Sequence, residues 1–374
     1  MSPLSLIMAC FALLGALDLI IGNKFGLGKQ FERGIMLLGT ICLSMIGMIV
    51  FAPLIAHLLR PAINAITSIL PIEPSVIAGM LLANDMGGAP LAMEFASTEA
   101  SGYFNGLIVG ATMGATISFN IPFSMGLVPK EKHESLILGL LCGIITTPVG
   151  CLVGGFVVGL PIKELLMSIV PLFIFAILLT IALFFAPNAC VKVFKVIGVI
   201  IRTIILIGFG VGIFEAMTGI ELIPYTAPIE EGFSICTSAV MTISGAFPLV
   251  YLLSKLLNKP IKKIGEKAGV NPVSAIGFLS SLATNVTTFE TLKDMDEKGA
   301  ICNSAFAVSA SFVFGGHLAF TLAFNASYAP AVIVAKLVAG VCALFLAGFL
   351  YKTRQKKKPL SPTESETLPA EQNA

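Results

Sequence analysis

The sequence predicts an all-α polytopic membrane protein, with about nine transmembrane helices in two inverted-topology repeats and one re-entrant helical hairpin in each repeat. Three observations lead there. Of the 374 residues, 56% are hydrophobic and only 12% charged, against ~25% charged in soluble domains. Apolar runs long enough to cross a bilayer, ~20 residues, recur along the whole chain. Matching motifs return in the same order at offsets of 194–198 residues.

The runs are Leu4–Ile21, Ile35–Leu59, Leu107–Val128, Leu136–Leu160, Leu165–Ala186, Val196–Met217, Phe233–Leu253, Ala300–Phe324 and Ala329–Leu350. They are unbroken, whereas the strands of an outer-membrane barrel would show short alternating segments. The first run has neither a basic leader nor a small-residue cleavage site, so it reads as a spanning helix and not as a cleavable signal. The eight cysteines fall almost wholly inside apolar runs without metal-type spacing, and read as small buried hydrophobes.

The duplication rests on several weak matches in common order. "GALDLIIG" (Gly15–Gly22) returns as "GIFEAMTG" (Gly212–Gly219), each with an acid three residues after its first glycine. "FERG" (Phe31–Gly34) meets "IEEG" (Ile229–Gly232), and "ICLS" (Ile41–Ser44) meets "ICTS" (Ile235–Ser238). Pro74, Gly79, Glu99 and Asn105 meet Pro272, Gly277, Glu297 and Asn303. The chain therefore divides into a first repeat, residues 1–160; a linking helix, 161–190; a second repeat, 191–352; and a tail, 353–374, expected to be disordered.

In corresponding places each half has a short apolar segment broken by polar and helix-breaking residues: "GMLLANDMGGAPLAME" (Gly79–Glu94) and "GFLSSLATNVTTFETL" (Gly277–Leu292). Charge placement decides whether these segments cross. If neither does, Lys24, Lys29, Arg33, Lys130, Lys132, Lys192, Lys195, Lys293, Lys298 and the basic run from Lys352 share one face with the lysines between Lys255 and Lys267. Arg60 and Lys163 alone remain on the other. The rich face is cytoplasmic by the positive-inside rule, which puts the N-terminus outside and the C-terminus inside. Two half-helices of ~10 residues each rise ~15 Å, half the hydrocarbon core. The segments thus read as re-entrant hairpins, at about residues 75–96 and 273–294. Five crossings precede the second half, so it is inverted and the two tips meet near the midplane.

Irregular backbone at that depth must be buried in protein or line a watery cavity, and paired broken segments point to a transporter's binding site. Asn84 and Asp85 sit at the first tip; Thr284, Asn285, Thr287, Thr288 and Glu290 at the second. Carboxylates at membrane depth are costly and usually functional. Asp85 and Glu290 suit an ammonium group, and the Asn and Thr groups suit a hydroxyl. Glu94 reads equally as a solvated residue at a hairpin mouth. Asp18 and Glu215 either help to form the pathway or cap hairpin ends and stabilise the scaffold.

Asn105 and Asn303, on the helices after the hairpins, could hold ligand or tie helices together. "FNIPF" (Phe119–Phe123) and "FGGHLAF" (Phe314–Phe320) are expected to break those helices and turn Asn120 and His317 towards the cavity. His317 is either a proton-coupling group or a structural hydrogen-bonder. Lys336 either neutralises a carboxylate such as Glu290 or snorkels outward. Tyr103, Phe104, Phe119 and Phe289 are candidates to face a cation.

With the hairpins in view, the sequence resembles the ethanolamine-utilisation permease family. The resemblance rests on "NKFGLGKQFERG" (Asn23–Gly34), "GMLLANDMGGAPLAMEFA" (Gly79–Ala96) and "SSLATNVTTFETLKDMDEKG" (Ser280–Gly299), and runs from the first helix to about Tyr351. It implies a bacterial inner-membrane importer of ethanolamine, a hydroxylated ammonium cation, feeding its catabolism. The residues alone indicate a carrier for a small polar cation, and leave open a nucleoside or amino-acid carrier. An intramembrane enzyme would have only Ser280, Ser281 and His317 as loose candidates, and no nucleotide loop, HExxH or GxSxG motif is present. No cofactor, metal or nucleic acid is expected. The expected partners are the substrate and the lipid bilayer, with homo-oligomerisation open.

Overall fold

The computed structural model describes residues 3–357, except the side chains at 254, 257–266, 268, 356 and 357. Among the described residues every regular element is helical. Eight helices are long and apolar enough to cross a membrane, where the sequence predicts nine. The difference is the expected run Ala300–Phe324, which is two shorter helices.

Helices α1 (Pro3–Ile20), α2 (Leu27–Met36) and α3 (Leu38–Ile69) open the chain. Near the end of α1, Asp18 accepts the N–H groups of Phe25, Leu27 and Gly28 at 2.8–2.9 Å. These include donors that the first turn of α2 leaves without an intrahelical partner. Its counterpart Glu215 accepts from the N–H groups of Leu222 and Ile223 and from the Thr226 hydroxyl. Both acids therefore hold loops in place.

The first interrupted segment is α4 (Ser75–Leu81), a 3₁₀ turn at Asn84–Met86 and α5 (Gly88–Phe95), with α4 and α5 packed on each other. Leu82 and Ala83 are extended, and Gly87 has φ 94°, a left-handed conformation that glycine adopts without steric cost. Next come α6 (Glu99–Tyr103), wide π-type turns at Phe104–Gly114 and Thr116–Asn120, and α7 (Ile121–Leu127). Together they form one uninterrupted 29-residue span. The break expected at "FNIPF" is absent: the turns tighten there instead, and Pro122 at the start of α7 forgoes one backbone hydrogen bond inside a span that nonetheless runs on.

Four long helices follow: α8 (His133–Val157), α9 (Ile162–Phe185), α10 (Pro187–Thr218) and α11 (Ile229–Ala268). The second interrupted segment is α12 (Pro272–Ala283) and α13 (Asn285–Glu290), joined at an extended Thr284. Then come α14 (Glu297–Ala310), an irregular stretch at 311–315, α15 (Gly316–Asn325) and α16 (Ala329–Lys357). The irregular stretch does not leave its backbone unpaired. The N–H of Phe312 donates to Ser281 O at 3.0 Å and that of Phe314 to Leu282 O at 2.8 Å, carbonyls left free where α12 ends. Of the expected tail, residues 353–357 continue α16, and 358–374 lie outside the described residues.

The packing repeats in register. Helix α1 packs on α11, and α10 packs on α3. A Cβ at Gly47 would overlap the Ile205 carbonyl, and one at Gly245 the Met8 carbonyl; Gly34 meets Ser244 as Gly232 meets Ile46. Within each comparison the matching positions are 197 or 198 apart in sequence. Elsewhere α8 uses small residues for close approach: Gly139 and Gly143 abut α14, and Gly150 and Gly154 abut Ala335 and Ala339 of α16. The Thr147 and Ser309 hydroxyls, 3.1 Å apart, add a polar tie between α8 and α14.

Candidate functional site

The two interrupted segments and the irregular stretch between α14 and α15 converge on one cavity of about 710 Å³. Each wall follows from a helical stripe. Leu37, Thr40, Ile41 and Ser44 of the α2–α3 region face inward at spacings of three and four, with Gln30 and Arg33 beside them. Ile243, Phe247, Val250 and Tyr251 do the same on α11. The remaining wall combines Ala83, Asp85 and Met86 of the first segment, Ala283, Thr284 and Val286 of the second, and Phe119, Phe312, Gly316 and His317.

Asp85 is the only carboxylate on this wall among the described residues, and its side chain is 30% exposed. His317 Nε2 stands 3.9 Å from Asp85 Oδ1. On the other side of the ring, Nδ1 lies 3.2 Å from Lys336 Nζ. Lys336 is fully buried and also donates to the Ala111 carbonyl. The Phe312 ring packs on His317 with centroids 4.9 Å apart, and Phe119 meets Phe312 edge-on at 6.0 Å. A carboxylate beside aromatic rings in a water-accessible recess can take a small cation by ion pairing and by ring faces. Also on the cavity wall, the Arg33 guanidinium lies over Phe247, 5.4 Å from its centroid.

Of the eleven residues expected at the site, Asp85, Thr284 and His317 line the cavity. Asn84, Asn120 and Asn285 are buried behind it. Asn84 Nδ2 donates to His317 O at 3.3 Å, Asn120 Nδ2 to Val308 O at 3.1 Å, and Asn285 Nδ2 to Asn120 Oδ1. These bonds fasten both tips to the body of the protein. Thr288 braces α13 against α12, bonded to Gly277 O at 3.0 Å and to the Ser281 hydroxyl at 2.9 Å.

Asn105 and Asn303 stand away from the cavity. Asn105 donates to the Ser75 and Ser168 hydroxyls. Asn303 donates to Ser274 O and Gly299 O. Thr287 and Glu290 are exposed and outside the cavity. Thr287 and Glu290, three residues apart, share the outer face of α13, while Thr288 and Phe289 on the other face are buried. Among the aromatics, Phe119 lines the cavity while Phe104 and Phe289 are core and Tyr103 packs on Phe324 and Tyr328.

With this geometry in hand, the chain was compared with known proteins. It matches the family model described as "Ethanolamine utilisation protein, EutH" over residues 3–350. The chain belongs to the EutH family. It is 44% identical to a protein of Listeria monocytogenes named "Probable ethanolamine permease EutH", over 94% of each chain. It is 36% identical to the protein of that name from Salmonella typhimurium, over 92% of this chain and 94% of that one. An uncharacterised Bacillus subtilis protein, YxeR, is 33% identical. No solved structure matches the chain.

Sequence reasoning on this EutH chain missed the wall formed by α2, α3 and α11. The signal was available as the three- and four-residue spacing of Thr40 and Ser44 with Leu37 and Ile41. It is masked because the run from Met45 to Ala56 that follows is apolar on every face. The contact of Lys336 with His317 lies outside both sequence expectations for Lys336, a carboxylate such as Glu290 or an outward turn.

Proposed function

We propose that this protein carries ethanolamine across a bacterial inner membrane, binding the ammonium group at Asp85 and the hydroxyl at Thr284 or Ser44. The observation that carries the reading is the position of Asp85, the one carboxylate among the described residues lining a cavity that both interrupted segments also line. The names of the relatives, probable ethanolamine permeases, supply the substrate. Ethanolamine has a single cationic end and a single hydroxyl, and needs one group of each kind.

The architecture proposed with it is two inverted repeats, residues 1–160 and 191–352, joined by the helix at 161–190, with the interrupted segments as re-entrant hairpins. The in-register contacts of Gly47 with Ile205 and Gly245 with Met8 support the duplication. The lysine-rich face is cytoplasmic, the N-terminus outside and the C-terminus inside. Gln30, Arg33 and Tyr251 lie towards the basic face, so the cavity is the inward-facing vestibule of an alternating-access cycle.

The test is uptake of labelled ethanolamine into proteoliposomes at mildly acidic pH, where the amine is protonated and leaks little. An ammonium–carboxylate hydrogen bond contributes ~1.5–3 kcal/mol. Asp85→Asn should therefore raise the half-saturating concentration about 10- to 150-fold, towards the low end because Asp85 is partly solvated. Glu290→Gln, outside the cavity, should stay within about twofold. Wild-type uptake no greater than in empty liposomes would refute the substrate, and unaltered uptake by Asp85→Asn would refute the site.

A further inference from the structure

Lys336 presents a problem that ethanolamine binding alone does not explain. An ammonium group removed from water costs several kcal/mol unless well paired, yet Lys336 is fully buried. Its partners in the structure are the Ala111 carbonyl and His317 Nδ1. An ammonium group has donors and no lone pair, so Nδ1 must accept. The imidazole proton then sits on Nε2, the nitrogen that faces Asp85 across 3.9 Å. One water in that gap would complete a path from the buried amine to the cavity.

The other groups around Lys336 are few. From α8 comes Cys151, whose thiol is 3.2 Å from the Thr112 hydroxyl. From α15 comes His317, and from the first hairpin tip Asp85. The wide-turn segment Phe104–Gly114 contains no titratable side chain. On α14, Cys302 packs beside Ala343 and Ala347, two turns or more further along α16. Tyr328, just before α16, donates to Ala100 O. The local balance is thus one ammonium against one carboxylate, with a neutral imidazole between them.

We infer that Lys336 competes internally with the substrate cation, and that docking of an ammonium group on Asp85 releases one proton from Lys336 through His317 into the cavity. This rests on the ethanolamine reading above. With substrate present, two ammonium groups would share one carboxylate, and the Lys336 one is out of reach of water. That excess charge is removed when Lys336 Nζ–H passes its proton to Nδ1 and Nε2–H gives its own to cavity water. The neutral amine then accepts from Nδ1–H, and the freed Nε2 lone pair faces the substrate as a second acceptor. Charge balances: one cation enters the site and one proton leaves it. When substrate departs, proton return restores the ion pair, so the empty carrier never holds an unpaired carboxylate.

The test is isothermal titration of the full-length protein in detergent with ethanolamine, in two buffers of different protonation enthalpy, which counts protons released per molecule bound. Wild type should release about one, with affinity weakening about tenfold per unit fall in pH between about pH 8 and 6. Lys336→Met should bind with no release and no pH dependence. Binding without proton release by wild type overturns the relay but leaves the carrier standing. Release undiminished in Lys336→Met places the proton on Asp85 and also overturns it. An absence of wild-type binding, matched by an absence of uptake in liposomes, overturns the ethanolamine reading and the relay together. If Lys336→Met does not fold, the wild-type pH series decides: a flat affinity refutes the relay.

Discussion

Asp296 holds the entrance of the second interrupted segment to the helix that follows it, and its removal should be measurable. Its carboxylate accepts from the N–H of Asn271 at 2.8 Å, the Ser274 hydroxyl at 2.7 Å and the N–H of Gly299 at 3.1 Å. The last of these is the N-cap bond of α14, worth ~1 kcal/mol. The other two, to a charged acceptor, are worth ~1.5–3 kcal/mol each when desolvated. Asp296 is only half-buried, so water recovers part of this, and Asp296→Ala should cost about 2–4 kcal/mol. In a thermal melt of the detergent-solubilised protein that is a drop of about 3–5 °C.

The pH dependence follows from the same bonds. Burial alone would raise the Asp296 carboxyl, but the donors from Asn271, Ser274 and Gly299 hold it below its ordinary value. A carboxyl depressed in the folded state contributes its full stability above its unfolded pKa, ~3.9. It loses that contribution as pH falls through the lower folded value. The gap between wild type and Asp296→Ala should therefore be equal at about pH 8 and pH 5, and narrow only below about pH 4. A variant that melts with wild type, or a gap already closed at pH 5, would refute the argument.

Two further outcomes are expected. Gly47→Val and Gly245→Val should each cost several kcal/mol, about 3 or more for forcing apart backbones in contact. Yields of monodisperse protein should fall for both alike, and a harmless change at one of the pair would count against the duplicated fold. A phosphatase fused after residue 357 should be inactive and a fluorescent protein there bright, as a cytoplasmic C-terminus requires; the reverse would invert the proposed orientation.

The interrupted segments were legible because "NDMGG" and "ATNVTT" set polar and helix-breaking residues into apolar runs, a local signal that survives without tertiary information. Asp85 followed directly. Glu290 misleads because residue type and distance from the tip do not reveal which face of α13 turns outward: Glu290 and Thr287 share the exposed face, and Phe289 between them is core. Asn120 and His317 were placed in a broken pair of helices, but only the second helix breaks. Consecutive wide turns absorb the strain at Asn120 with no gap in the helix, a geometry that residue types do not announce. The ninth span is overcounted for the converse reason: Ser311–Gly315 is apolar enough to extend a hydropathy run while its backbone leaves the helix. The Lys336–His317 contact depends on how α15 returns past the break, and no spacing rule for a single helix predicts it.

The exchange of helices between halves, α1 on α11 and α10 on α3, bears on the order of assembly during synthesis. Met8 of α1 finds its glycine, Gly245, only after more than two hundred further residues have been made. Until then α1 has α2 beside it and lipid elsewhere. The first half thus waits in the bilayer as an open clasp, and the ribosome must deliver α11 before it can shut.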